Sequence, residues 1–127
     1  LADITLIAYG YMAHLALEAA HQLAYQDEIF CEVLVPTQLT PFELGPLFDS
    51  LKRTKRVLTI EEGTFTLGWG AEVVAKTVEL AGSYLKSAGR LAAKDDVIPA
   101  SPHLEAQHLP GLSDIVTRVR ELVRNGT

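Results

Sequence analysis

Apolar residues recur along this chain in two rhythms that alternate. Residues 4–9 form a short, mostly apolar run closed by Gly10, which reads as a strand. From 11 to 26 the spacing turns helical, with Met12, Ala16, Ala19, Ala20 and Leu23 on one face. So many alanines predict close helix-to-sheet packing, since little side chain separates the backbones. Asp27 and Glu28 break the rhythm. Residues 29–35 are then apolar nearly throughout, the pattern of a second strand covered by helices on both faces.

Thr40, Pro41 and Glu43 follow with the spacing of a capping box, proline in the first helical position. The helix they open carries a stripe of Leu44, Leu47, Phe48 and Leu51. Residues 57–60 are a third, β-branched strand that runs into Glu61 and Glu62. A loop with Gly63, Gly68 and Gly70 leads to a helix expected over 71–86. That helix shows two adjoining rows, Val74/Val78/Leu85 and Val73/Thr77/Leu80/Tyr84. So wide a face is either deeply buried or shared with a partner. Residues 90–93 form a weak fourth strand. Pro99 and Pro102 make 95–105 an extended loop. The last helix is expected to be capped by Ser113 and stapled by Leu112. Its core stripe is Ile115, Val116, Val119, Leu122 and Val123, with Arg118, Arg120 and Arg124 largely on its solvent side.

Strand and helix alternating four times predict a three-layer α/β/α sandwich over residues 1–127, a single domain with a mostly parallel sheet. Right-handed crossovers favour the strand order second-first-third-fourth. The topological switch then lies at the carboxyl end of the first strand, so residues 10–12 and 61–63 face each other across one crevice.

Composition narrows the function classes. A formal charge of −5 leaves no electrostatic footprint for nucleic acid, and Lys52, Arg53, Lys55 and Arg56 read as a solvated helix end. No apolar run approaches the ~20 residues of a membrane span. The single cysteine, Cys31, sits in an apolar strand pattern and reads as a small buried hydrophobe, which fits a reducing compartment. The chain opens on Leu1 and enters a strand almost at once, which reads as a fragment of something longer.

Few residues suggest chemistry. The glycine loop lacks a dinucleotide fingerprint and a P-loop lysine, and two carboxylates precede it, which disfavours phosphate. Glycines 68 and 70 are better explained by a tight turn and a helix that starts close to the sheet. Glu61 and Glu62 are adjacent, so a strand pleat sends them to opposite faces and they are no ready-made carboxylate pair. His14, His21, His103 and His108 show no metal spacing. No serine elbow or base-paired cysteine is present. Phe65, Leu67 and Trp69 are three bulky apolar residues in one glycine loop, either a satellite core or a protein interface.

Four segments together resemble the C-terminal domain of the transketolase superfamily. They are D-I-T-L-I-A-Y-G (3–10, with A-L-E-A-A at 16–20), E-V-L-V-P-T-Q-L-T-P-F (32–42), V-L-T-I-E-E-G-T-F-T-L-G-W-G-A-E (57–72) and I-P-A-S-P-H-L-E-A-Q-H-L-P (98–110). The likeness covers residues 3–124. It is closest to the beta subunit of the thiamine-diphosphate-dependent dehydrogenase component of 2-oxo acid dehydrogenase complexes. Glu61–Glu62 stands where such subunits commonly carry His-Glu, and Leu67-Gly68-Trp69-Gly70 replaces Gly-Gly-Phe-Gly, which leaves the branch of the superfamily open. The resemblance implies a sheet whose antiparallel edge strand comes from residues before this chain. It further implies a non-catalytic assembly domain that forms a subunit interface and shapes the active-site approach. Thiamine diphosphate and Mg²⁺ then belong to the pyrimidine and diphosphate domains of the parent enzyme, in the cytoplasm or mitochondrial matrix. No catalytic, cofactor or metal residue is expected in this chain. The residues expected at the interface or approach are Gly10, Glu61, Glu62, Phe65, Leu67, Gly68, Trp69 and Gly70. An acyltransferase core and a homo-oligomer are open as further partners. The alternative is a stand-alone small-molecule or regulatory binding domain using the crevice at the carboxyl ends of the first and third strands.

Overall fold

The computed structural model describes residues 2–39, 44–94 and 109–125. The expected capping box at 40–43 and the proline loop at 95–105 lie outside them. Strand β1 (Ile4–Ala8) is buried at every position and lies inside the sheet. The other strands are β2 (Cys31–Leu34), β3 (Arg56–Thr64) and β4 (Ser87–Ala93). All pairings are parallel and the order is β2-β1-β3-β4, as the crossover argument requires.

Alternation along the strands sorts the core into two halves. Ile4, Leu6, Ala8, Leu58 and Ile60 meet helices α1 (Tyr11–Asp27) and α4 (Leu112–Asn125) through Met12, Ala16, Leu23, Ile115 and Val119. Ile7 and Val57 point the other way, to α2 (Gly45–Thr54) and α3 (Trp69–Ala81) through Leu47, Leu51, Val73 and Ala81. Each buried Leu, Ile or Val contributes about 1.5–3 kcal/mol by leaving water. The alanines of α1 do bring it close: Ala16 and Ala19 are inaccessible to solvent.

A polar seam ties the edge strand to this frame. Thr5 Oγ1 lies 2.7 Å from Ser50 Oγ and 2.6 Å from Thr54 Oγ1. Ser50 also donates to Glu32 on β2, whose carboxylate takes a two-pronged grip from Arg53 at 2.8 Å. Arg53 therefore pairs across elements. Arg56 departs from the expected basic helix end altogether: it opens β3, is 7% exposed, and donates to the Asp3 carbonyl.

Several boundaries differ from the sequence pattern. β2 is shorter than residues 29–35 and only half-buried throughout, because it is an edge strand, and Phe30 and Val35 are exposed. Helix α2 is described from Gly45, with Pro46 in its first turn and the Phe48 amide bonded to the Leu44 carbonyl. β3 is nine residues long: beyond Glu61 and Glu62, into which the strand was expected to run, it takes in Gly63, which the pattern had assigned to a loop. Helix α3 starts at Trp69 and ends at Ala81, short of residue 86, where Gly82 and Ser83 interrupt it. Its buried row is Gly70, Val73, Thr77 and Ala81; Val78 and Leu80, one from each expected row, are 52% and 54% exposed. β4 begins at Ser87 and gives β3 a full partner. The last helix is capped two residues earlier than Ser113, at Gly111, whose amide donates to Asp114 Oδ2 and whose carbonyl accepts from Ile115.

Helices α1 and α4 are clasped at their ends by Arg120, which grips both oxygens of Asp27 at 2.8 Å. That hydrogen-bonded pairing holds the Asp27 carboxyl below its ordinary range. A lowered folded-state pKa gives stability that is complete above the unfolded value, about 4, and is lost as pH falls through the folded one. Arg120→Ala is therefore expected to lower the urea midpoint at pH 7. The gap to the parent chain should close as pH drops below about 4. A gap that persists in acid would show that Arg120 acts through packing alone.

Candidate functional site

The carboxyl ends of β1 and β3 meet at the switch point of the sheet, and one carboxylate organises that end. Opposite Ala8–Ile60, the parallel register shifts: Ile60 pairs with Leu91 but Thr64 with Ala93, so β3 carries extra residues in a bulge. The bulge aims Glu61 toward α3 and leaves Glu62 on the α1 side. Their fates are opposite, as the pleat predicts: Glu61 is 1% exposed and Glu62 lies open to solvent.

A lone buried carboxylate costs several kcal/mol unless it is compensated. Among the described residues, no ion pair reaches Glu61. Its compensation is a helix terminus. Gly68, the N-cap of α3, has no side chain to cap with, so the first turn lacks an acceptor. Glu61 Oε2 supplies it from the neighbouring strand, 2.5 Å from the Gly70 amide. The positive end of the α3 dipole then favours the charge. The other oxygen, Oε1, accepts from the Tyr9 hydroxyl at 3.2 Å.

The three loop glycines are the space this carboxylate needs. A Cβ on Gly70 would fall 2.6 Å from Glu61 Oε2 and 2.5 Å from Thr59 Oγ1. On Gly63 it would fall 2.9 Å from Glu61 Oε1, and on Gly68 it would strike the Thr64 carbonyl. Tyr9 is held as a neutral donor. Burial, reinforced by the charge and hydrogen bond of Glu61, pushes its phenol up to about 12. Cys31 likewise stays a thiol, pushed up to about 12 by burial, in accord with its reading as a small hydrophobe.

The three bulky residues part ways. Trp69 turns inward: its ring meets Tyr9 edge-on at 5.1 Å and its indole N–H donates to the Leu39 carbonyl at 3.1 Å. Phe65 is 39% exposed under the Arg90 guanidinium, 3.9 Å above its ring, and Arg90 also donates to the Phe65 carbonyl. Leu67 is 96% exposed, with φ at 60° in the left-handed region, a conformation that costs a branched side chain roughly 1–2 kcal/mol. Gly10 completes the crevice. It has φ at 63°, and its missing Cβ would sit 3.6 Å from Glu62 Oε1.

All eight residues expected at this end therefore gather around the carboxyl ends of β1 and β3. Tyr9 and Arg90 were not among them. Tyr9 could have been found by extending the Ala8–Ile60 register one step, which sets it beside Glu61. The site's chemistry does not suit a diphosphate. Glu62 already stands at the N-terminal end of α1, where an anion would be received. Nor does any group of three or more His, Cys, Asp or Glu among the described residues suit a metal. No helix among them is long and apolar enough to cross a membrane.

Comparison with known proteins agrees with this architecture. The family described as "Transketolase, C-terminal domain" matches residues 2–115. The beta subunit of the pyruvate dehydrogenase E1 component of Rickettsia bellii is 32% identical over 121 residues, 94% of this chain and 37% of that protein. The beta subunit of acetoin:2,6-dichlorophenolindophenol oxidoreductase of Bacillus subtilis is 35% identical over 95% of this chain and 35% of its own length. A solved split-gene transketolase, titled an inactive beta4 tetramer, superposes with a TM-score of 0.83 at 26% identity, covering 98% of this chain and 39% of that one. The chain thus spans roughly a third of the length of these relatives.

If the glycines exist to house Glu61, substitution should separate them from glycines that do not. Gly70→Ala is expected to cost about 1–3 kcal/mol by overpacking the carboxylate. Gly45→Ala, where a Cβ meets nothing within 4 Å, should be neutral or slightly stabilising. Denaturant unfolding of the two variants checks this, and equal effects would contradict it.

Proposed function

This chain belongs to the transketolase C-terminal domain family, and we propose that it is the non-catalytic assembly domain of a longer thiamine-diphosphate-dependent subunit. The parent is of the 2-oxo acid dehydrogenase beta or transketolase-like kind. The observation that carries the reading is Leu67, a nearly fully exposed leucine held in a left-handed backbone conformation. Strain of this sort persists only where the surroundings over-determine it, and it clusters at clamps and contacts. The surroundings here are specific: Glu61 fixes the α3 end of the loop, and Arg90 fixes the Phe65 end. A loop built so rigidly around an exposed apolar tip suits contact with a partner surface better than contact with water.

In this reading Leu67 and Phe65 meet the pyrimidine or diphosphate domain of the parent enzyme, while Trp69 braces them from within. The exposed Val78 and Leu80 of α3 enlarge the apolar surface. Thiamine diphosphate and Mg²⁺ are bound by those other domains, and Glu62 and Gly10 shape the approach to them. The enzyme works in the cytoplasm or the mitochondrial matrix, as befits relatives from bacteria and plant mitochondria. A stand-alone binding domain is less well supported, because Glu62 stands in the crevice such a domain would use and the relatives are about three times longer.

Calorimetric titration of this chain with thiamine diphosphate and Mg²⁺ is expected to give no saturable heat, and micromolar binding would overturn the assignment of the cofactor to other domains. In the longer subunit, Leu67→Asp should weaken assembly by about 1–3 kcal/mol. The unfolding free energy of the domain should stay within about 0.5 kcal/mol, as for an exposed position. Assembly unchanged by that substitution would contradict the interface.

A further inference from the structure

Helix α2 is held to the sheet differently from the helices on the other side. There α1 and α4 bury only apolar side chains. Helix α2 buries Leu47 and Leu51, but also Ser50 and Thr54, so half of its inner face is hydroxyl. These hydroxyls meet Thr5 of β1 and, through Ser50, Glu32 of β2, which stands beside Thr5 in the strand register. A segment with few buried apolar contacts opens at lower cost than its surroundings.

The polar contacts form a chain with a direction. Thr54–Thr5, Thr5–Ser50 and Ser50–Glu32 are 2.6, 2.7 and 2.6 Å long, and the Thr54 hydroxyl lies 3.2 Å from the Arg56 carbonyl. Each hydroxyl has one proton, so three protons serve these four contacts. The Glu32 carboxyl is held below its ordinary range by the hydrogen bonds from Arg53, so as a carboxylate it only accepts. One order then fills all the short contacts: Thr54 donates to Thr5, Thr5 to Ser50, and Ser50 to Glu32. The longest contact, to Arg56, is the one left without a proton. A chain polarised toward a single charge strengthens link by link and weakens as a whole when that charge is lost.

Trp69 touches the same helix from its other end. Its ring packs with Leu44 and Phe48 against the cluster of Leu47 and Leu51, and its indole N–H donates to the carbonyl of Leu39, ahead of α2. A helix of ten residues spans about 15 Å, so one rigid element joins the hydroxyl chain in its last turn to Trp69 beyond its first. We propose that α2 is a flap that opens apart from the rest of the fold, that the hydroxyl chain ending on Glu32 and Arg53 holds it shut, and that its opening frees Trp69. What a freed Trp69 does to the Leu67 crest rests on the reading of Trp69 as the brace of that crest. The latch stands on its own geometry.

Native-state hydrogen exchange of the chain tests this, with the Phe48 and Lys55 amides, which bond to Leu44 and Leu51, set against the amides of β1. In the parent the α2 amides should exchange at least about tenfold faster than those of β1, with a shallower dependence on urea, because a smaller surface is exposed. Glu32→Gln and Arg53→Ala should each speed the α2 amides at least about threefold, and the Trp69 indole N–H by the same factor. Arg53 is exposed, so its variant keeps the test open if Glu32→Gln does not fold. Arg120→Ala, which breaks a similar grip between α1 and α4, should speed the β1 amides and leave the α2 amides as they were. Amides of α2 and β1 that share one rate and one urea dependence in the parent would overturn the flap. Rates in α2 that ignore both Glu32→Gln and Arg53→Ala would overturn the latch, and an indole N–H that stays slow while α2 speeds up would overturn the coupling. These rates do not depend on whether the crest meets a partner, so assembly that ignores Leu67→Asp would leave the proposal standing.

Discussion

A carboxylate on one strand caps the helix that follows it, and the carboxyl end of the sheet is arranged around that fact. Helix α3 begins on glycines and has no capping side chain of its own. Glu61 is buried with no cationic partner among the described residues. Each supplies what the other lacks: the helix contributes an amide and a dipole, and the strand contributes a charge. Neither arrangement would stand alone, since an uncapped buried helix end and an uncompensated buried charge are both costly.

From this pairing the loop acquires its shape. Gly63, Gly68 and Gly70 clear room for the carboxylate, and the chain between them must arch outward. Tyr9 closes the far side as a neutral hydroxyl and meets Trp69 edge-on, and the Trp69 indole in turn donates to the Leu39 carbonyl. The crest of the arch is Leu67. Its exposure is thus the result of anchoring on both sides, and this rigid apolar crest at the switch point of the sheet is what the proposed contact with other domains rests on.

Much of this was readable in the residues. The apolar runs and right-handed crossovers were enough for the strand order, because few alternatives survive them. The opposite fates of Glu61 and Glu62 followed from the pleat alone. Boundaries were less legible for identifiable reasons. Helices α1 and α2 end at Glu28 and Lys55, both left-handed without being glycine, so the usual stop signal is missing. The extension of β3 to Thr64 depends on its pairing with Ala93 at the far end of β4, a long-range contact that no local pattern announces. The two rows of α3 looked alike in sequence, and only the sheet decides that Val73 is buried and Val78 is not. The capping role of Glu61 was hidden because the cap and the helix belong to different elements. Local rules look for a capping side chain beside the helix start, where this sequence has only glycine.

Amide hydrogen exchange at Gly70 addresses the strand-to-helix cap most directly. In the parent chain that amide should be protected nearly as well as the amides of β1, although it sits in the first turn of a helix, where amides ordinarily exchange fast. In Glu61→Ala it should exchange at least about tenfold faster relative to the β1 amides, because its acceptor is gone while the sheet persists. A Gly70 amide that exchanges rapidly in the parent chain, or whose protection survives Glu61→Ala, would contradict the account.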